Sequence, residues 1–181
     1  YFIRQFEDGD IRKSLFEIAG QPREALYRHY RYRKFRNKYP NHDGHIVLMR
    51  ASEQLLIEAE SRARLNDLTG AVTLLNELRR NRNLPELSAS AFDQAGLIDE
   101  ILLERRRELW GEGFRLYDIL RLQTAPVRRE ANETFVDDAG NTVSVMGHWI
   151  TRFPDGTPLV PNSKYYLFPI PLNEINNNPN L

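Results

Sequence analysis

Apolar residues in the middle of the chain recur at helical spacing. Over residues 46–65 the intervals are near three, four and seven, and the residues concerned are Leu48, Leu55, Leu56, Ala59 and Ala63. Such intervals place side chains on one face of a helix. The pattern therefore predicts a helix about 30 Å long with one broad apolar face.

A second helix is predicted after a short break at Asn66, Asp67 and Gly70. Its apolar positions are Ala71, Leu74, Leu75 and Leu78. The two helices are predicted to form a hairpin that ends at Leu84-Pro85. Basic residues near the end of the second helix suit the negative end of the helix dipole, and we expect them to be solvated. They are Arg79, Arg80 and Arg82.

Two more helices are predicted downstream. Ser88, Ser90 and Asp93 offer N-cap oxygens to a third helix. The apolar positions of this helix are Leu97, Ile98, Ile101, Leu102, Leu109 and Trp110. After two glycines a shorter helix follows over residues 114–122, and its inward positions are Leu116, Ile119 and Leu120. Helices paired through short turns predict a mainly α fold of tetratricopeptide-like hairpins over residues 46–123, although one hairpin and a half does not fix a repeat period.

The chain changes character beyond these helices. Residues 124–165 are predicted to form an irregular excursion with a β-hairpin, because β-forming residues flank the turn-rich residues 137–141. Asp155-Gly156 marks a second turn, and loops of this kind often carry function. Residues 166–181 are predicted to be a proline-rich tail without a regular element.

Residues 1–45 are predicted to be lead-in strands and loops. Within them, residues 23–38 interleave basic and aromatic side chains, which is the chemistry of single-strand nucleic-acid binding. The alternation of tyrosine and arginine over residues 30–33 is also that of an edge strand with buried tyrosines. The chain has 25 basic and 25 acidic residues, so its net charge is zero. This balance favours the edge strand over nucleic-acid binding, and we expect no nucleic-acid partner.

Composition narrows the possible functions further. With 181 residues, of which 41% are apolar, the chain can bury a core and is long enough for one domain or a large piece of one. It has no cysteine, which excludes disulfides and thiolate metal sites. No run of residues is long and apolar enough to span a bilayer. The chain begins with Tyr1 and has no signal peptide, so we interpret it as part of a longer protein.

No motif in the sequence supplies catalytic parts. His42 and His45 have the residue type of metal ligands, but they lie in a loop without a third ligand at suitable spacing. Asp137 and Asp138 lack the spaced oxygen ligands of a calcium loop and predict a hairpin turn. Nucleophile elbows, phosphate loops and zinc-helix motifs do not occur. We therefore expect no catalytic residue, no metal site and no cofactor, and predict that the chain is not an enzyme.

Charged residues of both signs are densest over residues 104–121. Glu104 and Glu108 share a helix face, and Asp118 and Arg121 are one turn apart. Mixed charges at this spacing indicate ion pairs that hold two helices together. A general acid and base would also need shifted pKa values in a cleft, so we favour the structural interpretation.

Three stretches together resemble the SusD/RagB family of nutrient-binding lipoproteins. Residues 48–85 read LMRASEQLLIEAESRARLNDLTGAVTLLNELRRNRNLP, residues 104–122 read ERRRELWGEGFRLYDILRL, and residues 166–181 read YLFPIPLNEINNNPNL. They occur in the order found in the family. Asp10 and Arg12 are similar to an earlier aspartate-arginine element of that family.

The resemblance implies a glycan or other nutrient as ligand and a TonB-dependent outer-membrane transporter as partner. It also implies a surface-facing location on the outer membrane of a Bacteroidetes cell, with a lipid anchor on a cysteine outside this chain. An aromatic ring that stacks on a sugar would suit this role, and we predict Trp149 as that ring, with His148 and Asn162 as polar partners. Trp149 could instead close its loop onto the helices. A tetratricopeptide-like adaptor that binds peptides is the alternative function, and nucleic-acid binding through residues 23–38 is a third.

Overall fold

The computed structural model of the chain describes residues 2–15, 48–128, 134–136, 142–144, 151–167 and 170–177. The chain divides into two compact units, Tyr1–Glu112 and Gly113–Leu181. The basic and aromatic residues 23–38, the histidines of residues 42–45 and the hairpin tip at residues 137–141 lie outside the described residues.

Three helices form the core of the first unit: α1 (Ala51–Arg64), α2 (Leu68–Arg80) and α3 (Gln94–Glu108). Helix α1 packs against both α2 and α3. The fully buried core residues are Leu56, Ala59, Ala63, Ala71, Leu75, Leu97 and Ile101. Alanines at these positions allow the helix backbones to approach closely. The predicted hairpin is confirmed, and so is its apolar face apart from Leu48.

Local hydrogen bonds fix where the helices begin and end. The carboxylates of Asp67 and Asp93 accept bonds from the amides of Gly70 and Gly96 at 2.9 and 2.7 Å, which caps α2 and α3. A side chain at Gly70 would clash, because its Cβ would lie 2.2 Å from Oδ2 of Asp67. The side-chain amide of Gln94 donates to the last carbonyls of α1, so the start of α3 also caps α1.

The first helix is shorter than the apolar pattern predicts. Helix α1 begins at Ala51, and Arg50 before it has an extended backbone with φ −128° and ψ 143°. Leu48 is 85% exposed and lies outside the buried face, so its assignment to that face is wrong. The guanidinium of Arg50 bonds to Glu108 and Glu112, and these distant partners hold the residue in its extended conformation.

The described part of the lead-in segment consists of 3₁₀ helices rather than strands. They span Phe2–Gln5 and Ile11–Leu15. Phe6 is buried between them, with the ring of Phe2 edge-on at 5.3 Å, and Phe2 in turn stacks on Trp110 at 6.1 Å. An aromatic cluster therefore fastens this segment beside the end of α3.

The second unit contains helix α4 (Phe114–Arg121), strands β1 (Thr134–Val136) and β2 (Thr142–Ser144), a 3₁₀ helix (Lys164–Tyr166) and helix α5 (Leu172–Asn177). The strands pair antiparallel with Phe135 opposite Val143, which confirms the predicted hairpin. On α4, Ile119 is buried, but Leu116 is partly exposed and does not point inward as predicted.

The prediction that the tail lacks regular structure is wrong. Helix α5 occupies part of it, directly after Pro171. The carbonyl of Pro171 accepts a bond from the amide of Ile175 at 3.1 Å. Proline is tolerated at a helix start because its missing N–H would have no intrahelical partner there. Among the described residues, no helix has the length and apolar character needed to cross a membrane.

Candidate functional site

Residues 151–167 are the largest described part of the predicted excursion, and they contain a tight reverse turn. The amide of Gly156 donates to the carbonyl of Phe153 at 2.9 Å, and the amide of Phe153 donates to the carbonyl of Thr157 at 2.9 Å. Gly156 has φ +81°, a left-handed conformation that glycine adopts without strain. The predicted turn at Asp155-Gly156 is confirmed.

Asp155 is the centre of a polar cluster on this turn. Its Oδ1 accepts bonds from the amide and the hydroxyl of Thr157 at 3.0 and 2.7 Å, and its Oδ2 accepts a bond from the hydroxyl of Tyr165 at 2.9 Å. The bonds from Thr157, followed by the bond from Tyr165, lower the pKa of Asp155 below its usual value. The bond to Asp155 raises the pKa of Tyr165. Asp155 is therefore a charged acceptor at an exposed surface.

Aromatic rings support the turn from its base. The ring of Tyr165 stacks on buried Phe153 with centroids 4.8 Å apart, and Tyr166 meets Phe153 edge-on at 5.5 Å. The ammonium of Lys164 lies 5.2 Å from the centroid of Tyr165. Phe153 covers one face of the Tyr165 ring, so this contact supports the turn. The Tyr165 ring therefore has at most one face available to a ligand.

The structure describes one of the three predicted ligand-binding residues. Asn162 is exposed, in a turn, with a left-handed φ of 55°. Its side-chain amide has both donor and acceptor atoms, which suit sugar hydroxyls. His148 and Trp149 lie outside the described residues, so the three-residue site stays a prediction.

Sequence reasoning did not predict that Asp155 and Tyr165 form a polar cluster on the turn. Asp155 was recognised as a turn residue, and its position two residues before Thr157 could have predicted the bond to the Thr157 amide. Tyr165 is ten positions from Asp155, and no local pattern signals their bond.

The first unit contains a buried network of ion pairs. Glu104 is fully buried between Arg12 at 2.6 Å and Arg107 at 3.2 Å. Glu108 binds Arg12 and Arg82, and Arg79 is buried against Glu7. The expectation that Arg79 and Arg82 are solvated is therefore wrong, because carboxylates distant in the sequence neutralise them. Arg80 is exposed and pairs with Glu86, as a solvated residue would.

These charges join two helices, as predicted, and also reach the lead-in segment. Glu104 and Glu108 on α3 pair with Arg79 in α2 and with Arg82 just after it. Both glutamates also pair with Arg12, while Asp118 pairs with Arg121 within α4. Burial raises the pKa of Glu108, but the hydrogen bond from Arg82 and the charges of nearby arginines outweigh it and lower the pKa to about 2. A carboxylate this acidic and buried is a poor general base, which favours a structural role.

The sequence matches the family model described as SusD family over residues 9–181, which is nearly the whole chain. The chain belongs to the SusD family. The three stretches of this chain that resemble the family lie in different elements. The first contains the α1–α2 hairpin, the second contains the end of α3 and all of α4, and the third is the tail that contains α5.

Two SusD-like proteins are similar to the chain. SusD-like protein P38 of Formosa agariphila is 33% identical over 124 residues, which are 65% of this chain and 25% of that protein. The crystal structure of a SusD-like carbohydrate binding protein from Bacteroides vulgatus ATCC 8482 superposes on all of this chain and on 40% of its own length, with 37% identity and a TM-score of 0.75. The chain thus spans less than half the length of these SusD-like relatives.

Proposed function

We propose that the chain is part of a SusD-family protein that captures glycans at the cell surface and breaks no bond in them. Its similarity along its whole length to the SusD-like carbohydrate binding protein of B. vulgatus carries this proposal. The family match over residues 9–181 also makes a tetratricopeptide-like peptide adaptor the weaker alternative. The carboxylate of Glu108 is engaged by arginines and has a lowered pKa, so it is a poor general base.

The glycan site that we propose lies on the excursion, with Trp149 as the stacking ring and His148 and Asn162 as polar partners. The exposed amide of Asn162 supports it, since sugar hydroxyls need paired donors and acceptors. The turn around Asp155, in the same excursion, is held by its own hydrogen bonds and by the Phe153 ring, and a rigid support lowers the entropic cost of binding.

In the cell, the proposed protein would lie on the outer membrane, anchored by lipid on a cysteine outside this chain, and deliver its glycan to a TonB-dependent transporter. Family membership supports this location and partner. The partner is tested by retention of a TonB-dependent transporter on the immobilised chain from detergent-solubilised outer membranes of a Bacteroidetes species. The same chain, immobilised after chemical denaturation, controls for non-specific adhesion.

Calorimetry against a panel of neutral and acidic oligosaccharides tests glycan capture. We expect binding of at least one member, and chromatography of that glycan after long incubation should show it intact. Cleavage of the glycan would contradict a pure binding role. Binding of peptides with no binding of any glycan would support the adaptor instead.

A further inference from the structure

One carboxylate in the first unit contacts arginines from three separate parts of the chain. Oε2 of Glu108 lies 3.0 Å from Nη1 of Arg12 and 2.8 Å from Nε of Arg82. Oε1 of Glu108 lies 2.6 Å from Nη2 of Arg82 and accepts a second bond from Nη2 of Arg50. The side chain of Glu108 is 1% exposed, so water replaces none of these partners.

Two of these arginines border the same stretch of the chain. Arg12 lies in the 3₁₀ helix Ile11–Leu15, just before residues 16–47, and Arg50 lies just after them at the start of α1. Both nevertheless bind Glu108, at the end of α3. The chain segment that enters residues 16–47 and the one that leaves them therefore share an anchor.

Each arginine also has partners of its own. Arg12 binds Asp10 through Nε at 2.9 Å and Nη2 at 2.7 Å, and Nη2 also lies 2.6 Å from Oε1 of Glu104. Arg50 bonds to Glu112 and to the backbone carbonyl of Glu108. Asp10 thus supports the first segment and Glu112 the second, while Glu108 supports both. This division makes the two neighbouring carboxylates natural controls.

We propose that Glu108 is the shared anchor of the two segments bordering residues 16–47, so that loss of its charge loosens both together. The physical reason is that the buried Arg12 and the partly buried Arg50 both lose a charged partner that is itself shielded from water. Local opening follows, because segments with fewer buried interactions open at lower free energy than the core. Glu108 thus couples the local opening of the two segments, and all the residues concerned belong to the first unit.

Hydrogen exchange of backbone amides tests the shared anchor. The amides of Ile11 and Lys13, which bond to the carbonyls of Arg82 and Asp10, report on the first segment. The amides of Glu53 and Gln54, which bond to the carbonyl of Arg50, report on the second. In Glu108→Gln we expect exchange to be faster by about tenfold or more at both pairs of amides.

Matched substitutions distinguish a shared anchor from general loosening. Asp10→Asn should speed exchange at Ile11 and Lys13 alone, and Glu112→Gln should do so at Glu53 and Gln54 alone. If Glu108→Gln does not fold, Glu108→Asp keeps the charge but withdraws it by one methylene, and the same double effect is expected. Faster exchange at only one pair, or at neither, would overturn the proposal.

Discussion

Arg79 forms a paired, two-nitrogen contact with Glu7, although 72 positions of sequence separate them. Nη1 and Nη2 of the arginine donate to the two carboxylate oxygens of Glu7 at 2.7 and 2.8 Å, and Nε donates to the carbonyl of Pro85 at 2.8 Å. The side chain of Arg79 is 1% exposed. This contact fastens the lead-in segment to the end of α2.

Removal of Arg79 should therefore destabilise the first unit strongly. Arg79→Ala removes the two-nitrogen partner of Glu7, and we expect a loss of about 1.5–3 kcal/mol in the free energy of unfolding, the range of a hydrogen bond to a charged group. Urea unfolding followed by circular dichroism measures it. Arg80→Ala is the control, because Arg80 is 58% exposed and its surface pair with Glu86 contributes at most about 1 kcal/mol. Equal losses in the two variants would show that the contact between Arg79 and Glu7 stabilises the fold no more than an exposed ion pair does.

The pKa of Glu108 predicts how stability depends on pH. This pKa is about 2 in the folded chain, against an ordinary value of 4.5. A lowered pKa stabilises the folded state fully above the unfolded-state value, and the stabilisation is lost as the pH falls through about 2. It amounts to about 3 kcal/mol at neutral pH.

Unfolding free energies of the wild type and Glu108→Gln should accordingly converge in acid. The difference between them at pH 7 is expected to shrink by about 2–3 kcal/mol at pH 2. Burial raises the pKa of Glu100, so Glu100 changes the pH dependence of stability in the opposite direction from Glu108. Both chains contain Glu100, and its contribution cancels when their unfolding free energies are subtracted. A difference that stays constant from pH 7 to pH 2 would contradict the assigned pKa.

The hairpin core gives a third prediction. Leu75 on α2 is fully buried, so Leu75→Ala should cost about 2–5 kcal/mol through lost burial and the cavity left behind. Leu65→Ala removes the same atoms from a side chain that is 82% exposed, and its expected cost is below about 0.5 kcal/mol. Thermal and denaturant unfolding provide the comparison, and a stable Leu75→Ala chain would mean that the buried face is misassigned.

Core and caps could be predicted from the sequence because both depend on local spacing. The burial of Leu56 and Leu75 follows from intervals of three and four, and the cap at Asp93 follows from its residue type. The network could not be predicted, since nothing near Arg79 signals a partner as remote as Glu7. The local sequence around Arg79 therefore predicts only a solvated arginine near the end of a helix.

The candidate site was predictable to a smaller extent, for the same reason. The turn at Asp155 has a local signature, whereas the bond from Tyr165 depends on how the chain returns after ten residues. Helix α5 in the tail contradicts the prediction because prolines break a helix in its interior, whereas a proline at a helix start is favourable.

The bond between Tyr165 and Asp155 gives a fourth prediction. Tyr165→Phe removes one of the bonds that lower the pKa of Asp155, so this pKa should rise toward its ordinary value. Titration of the carboxyl carbon by NMR measures it. Tyr166→Phe keeps the bond and should leave the pKa of Asp155 unchanged. A rise in both variants would point to the aromatic packing rather than the hydroxyl.

Glycan capture by the excursion is tested most directly by calorimetry of Trp149→Ala. Removing one stacking ring costs on the order of 1 kcal/mol, which weakens affinity for the bound oligosaccharide several-fold. Tyr117→Ala removes another aromatic ring, 68% exposed on α4, and should leave affinity unchanged. With equal melting temperatures in all three chains, we expect the wild type and Tyr117→Ala to bind alike and Trp149→Ala to bind several-fold more weakly. Unchanged affinity in Trp149→Ala, or no glycan binding by the wild type, would contradict the account.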